Sequence, residues 1–322
     1  MKRNLSLIAI CILLAAGCGK DPVPGINDED KKPGTEVPGN TDKPDDPGNT
    51  DDPGNTDNPD DPENQKPAVE LTLPADPKPA SISFSHRILL VQHTGTYCPN
   101  CPRLMTSLKE LALDETYAAK YHHVAAHSYN ESGDLAYSEA AKNLSQLLCS
   151  GYYPELTFNL TKESTGTSLS VNTIMGMIDE LHKDEADAGI AAKTLLEGNT
   201  LYIKAGIKAA TAGTYRIAAW LLEDNIRSEQ EGAYEDWQHT HNNAIRAMAG
   251  STLNTRISGE KVGILNQGGK AEIQTELKIE RYYKMDNCKV LVLATAATPD
   301  GRYDVVNCTI CPINGVIGYL YN

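Results

Sequence analysis

The cysteine pair in Cys98-Pro99-Asn100-Cys101 is the strongest indication of fold in this sequence. The apolar run Ile88–Val91 before the pair predicts a buried strand, and leucines at helical spacing after it predict a helix. A helix N-terminus lowers the pKa of a nearby thiol, and the two-residue spacing lets the second cysteine resolve a mixed disulfide. The pattern therefore predicts a reactive pair between a strand and a helix.

The first eighteen residues have the pattern of an export signal. Residues 1–17 begin with Met-Lys-Arg and continue with an apolar run that is too short to span a bilayer. The run Ala15-Ala16-Gly17-Cys18 resembles a bacterial lipobox. This resemblance implies cleavage before Cys18, acylation of its thiol and attachment to a membrane. An ordinary signal peptide followed by a chance cysteine is the alternative.

Residues 18–80 have a composition that predicts a disordered acidic tether. The stretch 19–80 holds thirteen of the eighteen prolines, 16 Asp or Glu, 6 Lys or Arg, and no aromatic residue. Such a segment has too little apolar surface to offset its chain entropy, and its prolines and like charges extend it. The stretch carries −10 of the chain's net charge of −14. The rest of the chain has no basic patch, so binding to nucleic acid is not predicted.

Residues 81–188 alternate between strand and helix patterns, which predicts an α/β domain. Val124–Ala126 is a second apolar run, Leu156–Leu160 alternates as a half-buried strand does, and Ile174–Leu181 has helical spacing. A Cys-x-x-Cys pair between the first strand and helix of a βαβ start is the plan of thioredoxin-like folds.

The similarity to thioredoxin-like proteins extends to the Tyr-Pro step at Pro154. In that family a proline at this point is cis and lies against the reactive disulfide. The resemblance therefore implies that Pro154 is cis and shapes the peptide-binding side. Two positions depart from the thioredoxins. Tyr97 replaces the usual tryptophan, and Gln92 replaces a buried acid that moves protons during exchange.

Two separate runs are similar to a narrower family. The run from Thr94 to Pro102 resembles the Thr-Gly-x-x-Cys-x-Asn-Cys-Pro signature of outer membrane lipoproteins related to the 28-kilodalton outer membrane protein. Tyr234, followed by the run from His241 to Arg246, resembles a His-Asn-x-x-Leu-Arg run in their second half. The resemblance implies an outer membrane location, on the periplasmic or the surface face. It does not supply an activity.

Residues 189–322 change to a period of two, which is typical of antiparallel hairpins. Apolar residues alternate along Leu201–Ala209, Tyr215–Leu221 and Ala271–Ile279. This pattern predicts a mostly-β domain that resembles a β-sandwich. Residues 228–250 are less regular and predict a long connection with a short helix.

The cysteines that follow Cys18 are even in number, and an even number favours disulfides in an exported protein. Cys308 and Cys311 form a second Cys-x-x-Cys, but they follow a strand and have no helix to activate them. We therefore predict a structural disulfide between them. Cys149 has two open roles, as a resolving thiol near the reactive pair or as the partner of Cys288.

No cofactor and no metal site is predicted. The two Cys-x-x-Cys pairs are far apart in the sequence and lie in different predicted domains, which disfavours a shared zinc site. His239 and His241, with Asp236, have the spacing of metal ligands on a strand, but a plain surface pair is the commoner case.

Two functions from different classes follow from these patterns. In the first, the protein is a thiol-disulfide oxidoreductase acting on cysteine-containing proteins. Cys98 is then the nucleophile, as the cysteine nearer the helix start, Cys101 resolves the mixed disulfide, and Pro154 shapes the peptide-binding side. In the second, the protein is a surface binding or adhesion lipoprotein and the disulfide only braces a loop. Gln92 and the long tether favour the second.

Overall fold

The computed structural model describes residues 69–166 and 168–322. The predicted signal peptide, the lipidation site Cys18 and the tether as far as residue 68 lie outside the described residues. Within the described part, no helix is long and apolar enough to cross a membrane.

The described chain consists mainly of β-strands, as the sequence predicts for its second half. Five α-helices lie at Cys101–Leu113 (α1), Glu115–Ala118 (α2), Glu139–Leu148 (α3), Val171–Leu181 (α4) and Leu253–Ser258 (α5). The strands are Ile88–Thr94 (β1), Tyr121–His127 (β2), Glu155–Phe158 (β3), Ala188–Glu197 (β4), Thr200–Ala209 (β5), Gly213–Glu223 (β6), Ile226–Arg227 (β7), Thr240–His241 (β8), Ala244–Met248 (β9), Glu260–Leu265 (β10), Lys270–Lys278 (β11), Cys288–Ala297 (β12), Tyr303–Pro312 (β13) and Val316–Ile317 (β14).

A mixed eight-stranded sheet joins the two predicted globular segments. Its order is β13-β12-β6-β9-β2-β1-β3, and β10 also pairs with β6. Strands β1 and β2 are parallel, whereas β3 runs antiparallel to β1. Strand β9 connects the halves, because it pairs with β2 through Ala125 and Ala244 and with β6 through four further residue pairs. The predicted boundaries at residues 81, 188 and 189 stay predictions, but the strands on both sides of them share this sheet.

The core consists of layers on both faces of the large sheet. Helices α1 and α4 pack on β1 and β3 through Ile88, Leu104 and Ile174, all fully buried. On the opposite face, α3 packs through Leu144 on a cluster that includes Trp220 of β6. The four-stranded sheet β11-β5-β4-β14 packs against β6 and β12, which gives this end of the protein the two-sheet core expected of a sandwich.

The segment 69–80 lies against the four-stranded sheet, although its composition assigns it to the tether. The side chain of Gln274 on β11 accepts from the Leu71 amide at 2.9 Å and donates to the Val69 carbonyl at 2.6 Å. Farther along, the ammonium of Lys208 donates to the Asp76 carboxylate at 3.0 Å and to the Pro79 carbonyl at 2.8 Å. Polar contacts with strand residues, together with the burial of Leu71 and the packing of Leu73, thus hold this segment.

We expect the buried ion pair in this segment to matter more than its exposed neighbour. Asp76 pairs with Lys208, whose side chain is 1% exposed, and with Lys270, whose side chain is 42% exposed. Asp76→Ala leaves the Lys208 ammonium buried without its counter-ion, so the free energy of unfolding should fall by about 3–5 kcal/mol. Lys270→Ala, the matched control, should cost less than about 1 kcal/mol. Urea unfolding of the full chain measures both, and equal losses would contradict this account.

Candidate functional site

The Cys98–Cys101 disulfide lies in the turn that connects β1 to α1. The two Cα atoms are 5.4 Å apart. The turn is closed by hydrogen bonds from the Cys98 amide to the Gly95 carbonyl and from the Cys101 amide to the Cys98 carbonyl, both 3.1 Å long. The helix begins at Cys101, so Cys98 lies in the turn that precedes it. The predicted reason for choosing Cys98 as the nucleophile, its nearness to the helix start, is therefore wrong, because Cys101 occupies that place.

A buried carboxylate, Asp134, holds the turn before Cys98. One of its oxygens accepts from the Thr96 amide at 3.0 Å and from Nδ1 of His127 at 2.9 Å. The other accepts from the Ala136 amide at 2.9 Å. Burial raises the pKa of Asp134, but these bonds and the charge of His127 outweigh it and lower the pKa to about 2. The carboxylate therefore connects β2 to the turn of the disulfide.

The strand that leads to the disulfide carries a buried polar row. His93, fully buried, contacts Ser145 of α3 through Nδ1 at 2.8 Å and Thr157 of β3 through Nε2 at 2.9 Å. Burial lowers the pKa of His93 to about 4. Gln92 is bonded through its carbonyl oxygen to Nε2 of His123 at 3.0 Å. Burial likewise lowers the pKa of His123 to about 4. An amide–imidazole pair thus connects β1 to β2 on the strand that leads to the disulfide.

Pro154 lies at the end of the sheet where β1 runs into the turn of the disulfide. The Tyr153–Pro154 peptide bond is cis, as the sequence predicts. Because Glu155 is paired with His93 in the antiparallel register of β1 and β3, Pro154 precedes β3 at the level of Thr94. Tyr153 packs edge-on against Tyr129, with ring centroids 5.1 Å apart.

A segment from the second half of the chain covers the disulfide. We call this segment, Ser228–His239 between β7 and β8, the cap. The side-chain amide of Gln230 donates towards the carbonyls of Thr96 at 3.1 Å and Cys98 at 3.0 Å. The amide of Gln238 donates to the Pro102 carbonyl at 3.0 Å. Two glutamines thus bind the carbonyls on both sides of the cysteine pair.

The cap also approaches the dipeptide between the cysteines. Gly232 has a φ of +72°, and a Cβ atom at this position would lie 2.3 Å from the carbonyl oxygen of Pro99. Only glycine allows this approach without displacing the backbone. Beside this segment, Cys98 is 1% exposed and Cys101 is fully buried.

The two runs that resemble the lipoprotein family converge at the cap. Tyr234 lies in the cap, and its hydroxyl contacts that of Thr106 on α1. His241, at the base of the cap, packs edge-on against His127 with ring centroids 4.8 Å apart. The guanidinium of Arg246 pairs with the buried Glu223 carboxylate at 3.1 Å. Tyr234 and His241 thus lie at the cap, whereas Arg246 pairs with a residue of β6.

The predicted disulfide between Cys308 and Cys311 is not formed, and both are free thiols. Both lie on β13, where three residues of extended chain separate the Cα atoms by roughly 10 Å, beyond the reach of a disulfide. Their side chains point to opposite faces, since Cys308 packs in the cluster with Trp220 and Cys311 in the cluster between the two sheets. Cys149 and Cys288 are also free thiols.

The candidate metal ligands of the cap, Asp236 and His239, make other polar contacts. Asp236 pairs with Arg227 at 2.6 Å, and Nδ1 of His239 accepts from the backbone amide of Gln230 at 3.0 Å. Among residues 69–166 and 168–322, no group of three His, Cys, Asp or Glu side chains has a metal-binding arrangement.

This arrangement of strands and helices has a solved counterpart. The fold is similar to that of HBP35 of Porphyromonas gingivalis. The TM-score is 0.60 at 15% sequence identity, over 72% of this chain and 77% of that chain. A protein of Agrobacterium tumefaciens solved by X-ray crystallography matches 72% of this chain and 96% of its own, but the TM-score of 0.43 at 13% identity is too low to support a shared fold. No protein-family model and no curated protein matches the sequence.

Sequence reasoning missed the residues that hold the site together. Asp134 lies in a loop without a recognisable motif, and Gln230 and Gln238 lie in a stretch expected only to connect strands. The nearest signal was the similarity of Tyr234 and the run after His241 to the lipoprotein family, which marked this stretch without indicating that it contacts the disulfide.

We expect the charge of Asp134 to stabilise the fold above pH 4. Its pKa is lower in the folded than in the unfolded chain, so this stabilisation is complete above the unfolded value and is lost as the pH falls towards 2. Asp134→Asn should lower the free energy of unfolding by about 2 kcal/mol at pH 7, and the difference from wild type should shrink below pH 5. Urea unfolding at several pH values measures this.

Asp300→Asn is the matched control for this measurement. The pKa of Asp300 is also lowered to about 2, by hydrogen bonds from Thr298 and Arg302, but the carboxylate is exposed. Its replacement should leave unfolding unchanged. A pH-independent effect of Asp134→Asn would show that the shape of the side chain matters, not its charge.

Proposed function

We propose that this protein is an outer membrane lipoprotein, acylated at Cys18, whose thioredoxin-like domain exchanges disulfides through Cys98 and Cys101. The observation that carries the proposal is the disulfide between β1 and the first turn of α1, with a cis Pro154 at the same end of the sheet. The fold likeness to HBP35 is compatible with this domain but says nothing of its activity. The lipobox and tether patterns support the anchor.

The oxidised pair would accept two electrons from the dithiol of a partner protein. A partner thiolate attacks the sulfur of Cys98, the Cys98–Cys101 bond breaks, and its electron pair leaves on Cys101 as a thiolate. The partner's second thiolate then attacks the partner sulfur of the mixed disulfide and releases Cys98. The partner's dithiol becomes a disulfide, the pair becomes a dithiol, and the protons balance through solvent.

The helix supports Cys101 as the leaving thiolate. Helix α1 has thirteen residues, begins at Cys101 and has no acidic side chain in its first turn. The partial positive charge of a helix N-terminus stabilises a thiolate, and a better leaving thiolate accelerates exchange. The sulfur to be attacked is then that of Cys98, which lies in the turn outside the helix.

A second candidate function is that of a binding lipoprotein with an inert disulfide. The observation that favours it is the burial of both cysteines beneath the cap, since an exchange catalyst must present one sulfur to its partner. In this reading the disulfide only fixes the turn that the cap covers, and the exposed surface of the cap is available to partners.

The reduction potential of the pair distinguishes the two candidates. The full-length protein in mild detergent is equilibrated with glutathione buffers, and its free thiols are trapped and counted. A potential between about −270 and −120 mV would match exchange catalysts, whereas a value below about −300 mV would mark a structural bond and refute the proposal.

Cysteine variants assign the exchanging sulfur. Cys98→Ser should abolish exchange with a model thiol peptide, and Cys101→Ser should accumulate a mixed disulfide at Cys98. Cys149→Ser is the matched control. Burial raises the pKa of the Cys149 thiol to about 11, so it is protonated at neutral pH and its removal should leave exchange unchanged. Exchange that survives Cys98→Ser would exclude Cys98 as the sulfur that forms the mixed disulfide.

A further inference from the structure

We propose that the cap is a gate, and that Gln230 determines how often Cys98 becomes accessible to a thiol. The proposal deepens the proposed function, on which it rests, by naming what controls the same site. In the closed arrangement described above, Cys98 is 1% exposed, so an attacking sulfur cannot reach it until the cap moves.

Gln230 is the principal polar contact between the cap and the turn of the disulfide. Its side chain is almost fully buried, and its amide lies within 3.4 Å of the carbonyl oxygens of Gly95, Thr96 and Cys98. The neighbouring backbone reinforces this contact, because the Glu231 amide donates to the Thr96 carbonyl at 2.7 Å. All these acceptors belong to the turn that carries Cys98, so the contact bears directly on access to that sulfur.

The contact also contains unpaired polar atoms. The Gln230 carbonyl oxygen and the Thr96 hydroxyl are buried and have no hydrogen-bond partner among the described residues. Water would satisfy both atoms when the cap lifts, and this gain offsets part of the cost of breaking the bonds that the Gln230 amide makes. The free energy of opening is therefore lower than it would be if every buried polar atom of the contact were hydrogen-bonded.

The cap is held by polar bonds and by the contact of the Trp237 ring with the Lys109 ammonium of α1, 4.2 Å from the ring centroid, and not by the hydrophobic core. Within the described residues, no side chain of the cap belongs to any of the hydrophobic core clusters. Its base is the two-stranded ladder of β7 and β8, where Ile226 pairs with His241 and Arg227 with Thr240. Segments with few buried apolar contacts open at low free energy, so the cap can lift while its base and the large sheet stay intact.

The test is the rate at which dithiothreitol reduces the pair in the full-length protein. If the cap must open first, the wild-type rate reaches a plateau as the reductant concentration rises, because opening becomes limiting. Gln230→Ala removes the amide and should raise the rate at least tenfold. Gln267→Ala, an exposed glutamine that donates to the Ala210 carbonyl at 3.1 Å, is the matched control and should leave the rate unchanged.

A second variant keeps the test decisive if Gln230→Ala folds poorly. Gly232→Ala places a methyl group against the Pro99 carbonyl and should hold the cap away, which raises the rate in the same way. Thermal unfolding of each variant separates faster opening of the cap from general destabilisation. A rate that is linear in reductant, and equal in wild type and both variants, would overturn the gate.

The gate and the exchange activity are tested by different measurements, so either proposal can be refuted without the other. The plateau and its response to the variants report on the cap, whatever the potential of the pair. The reduction potential reports on the exchange activity, whatever the rate. A gated pair with the potential of a structural bond would refute the proposed function and keep the gate, and an ungated pair with the potential of a catalyst would do the reverse.

Discussion

The insertion of β9 between β2 and β6 determines how the two halves of the described chain meet. Strand β9 pairs with β2 through Ala125 and Ala244 and continues along β6, so it makes one sheet of strands from both halves of the chain. Because β7, the cap and β8 directly precede β9, this pairing keeps the cap within reach of the turn of the disulfide, which it contacts through Gln230 and Gln238. The site is therefore a consequence of sheet order as much as of the Cys-x-x-Cys sequence.

The parts of the fold that the sequence predicts are those decided by local patterns. The apolar run from Ile88 and the leucines after Cys101 specify β1 and α1 through periodicity, and the Tyr-Pro step marks Pro154 through family resemblance. Alternation likewise predicts β5, β6 and β11. The place of β9 was not predictable in this way. It is only five residues long, and one of its two pairings is with β2, where Ala125 lies more than a hundred residues before its partner Ala244.

The polar residues of the site escaped prediction for a related reason. Asp134 has no special neighbours in sequence, and its role follows from burial beside His127 and from the Thr96 amide that it meets only in the folded chain.

The predicted Cys308–Cys311 disulfide was wrong because it rested on local spacing alone. The spacing resembles that of the reactive pair, but a two-residue gap allows a disulfide in a turn and prevents it in an extended strand. The same motif thus has different chemistry on different secondary structure.

The covered disulfide reconciles two features that otherwise conflict. An exchange reaction needs an accessible sulfur at a helix start, whereas a structural bond is protected from thiols, and this site combines the helix start with the protection. The protecting layer is the polar cap, which is tied to the turn mainly through Gln230 and contributes nothing to the hydrophobic clusters of the described chain. A layer of this kind opens at a cost set by a few hydrogen bonds, so a partner that supplies equivalent donors to the same carbonyls would displace it without unfolding the sheet.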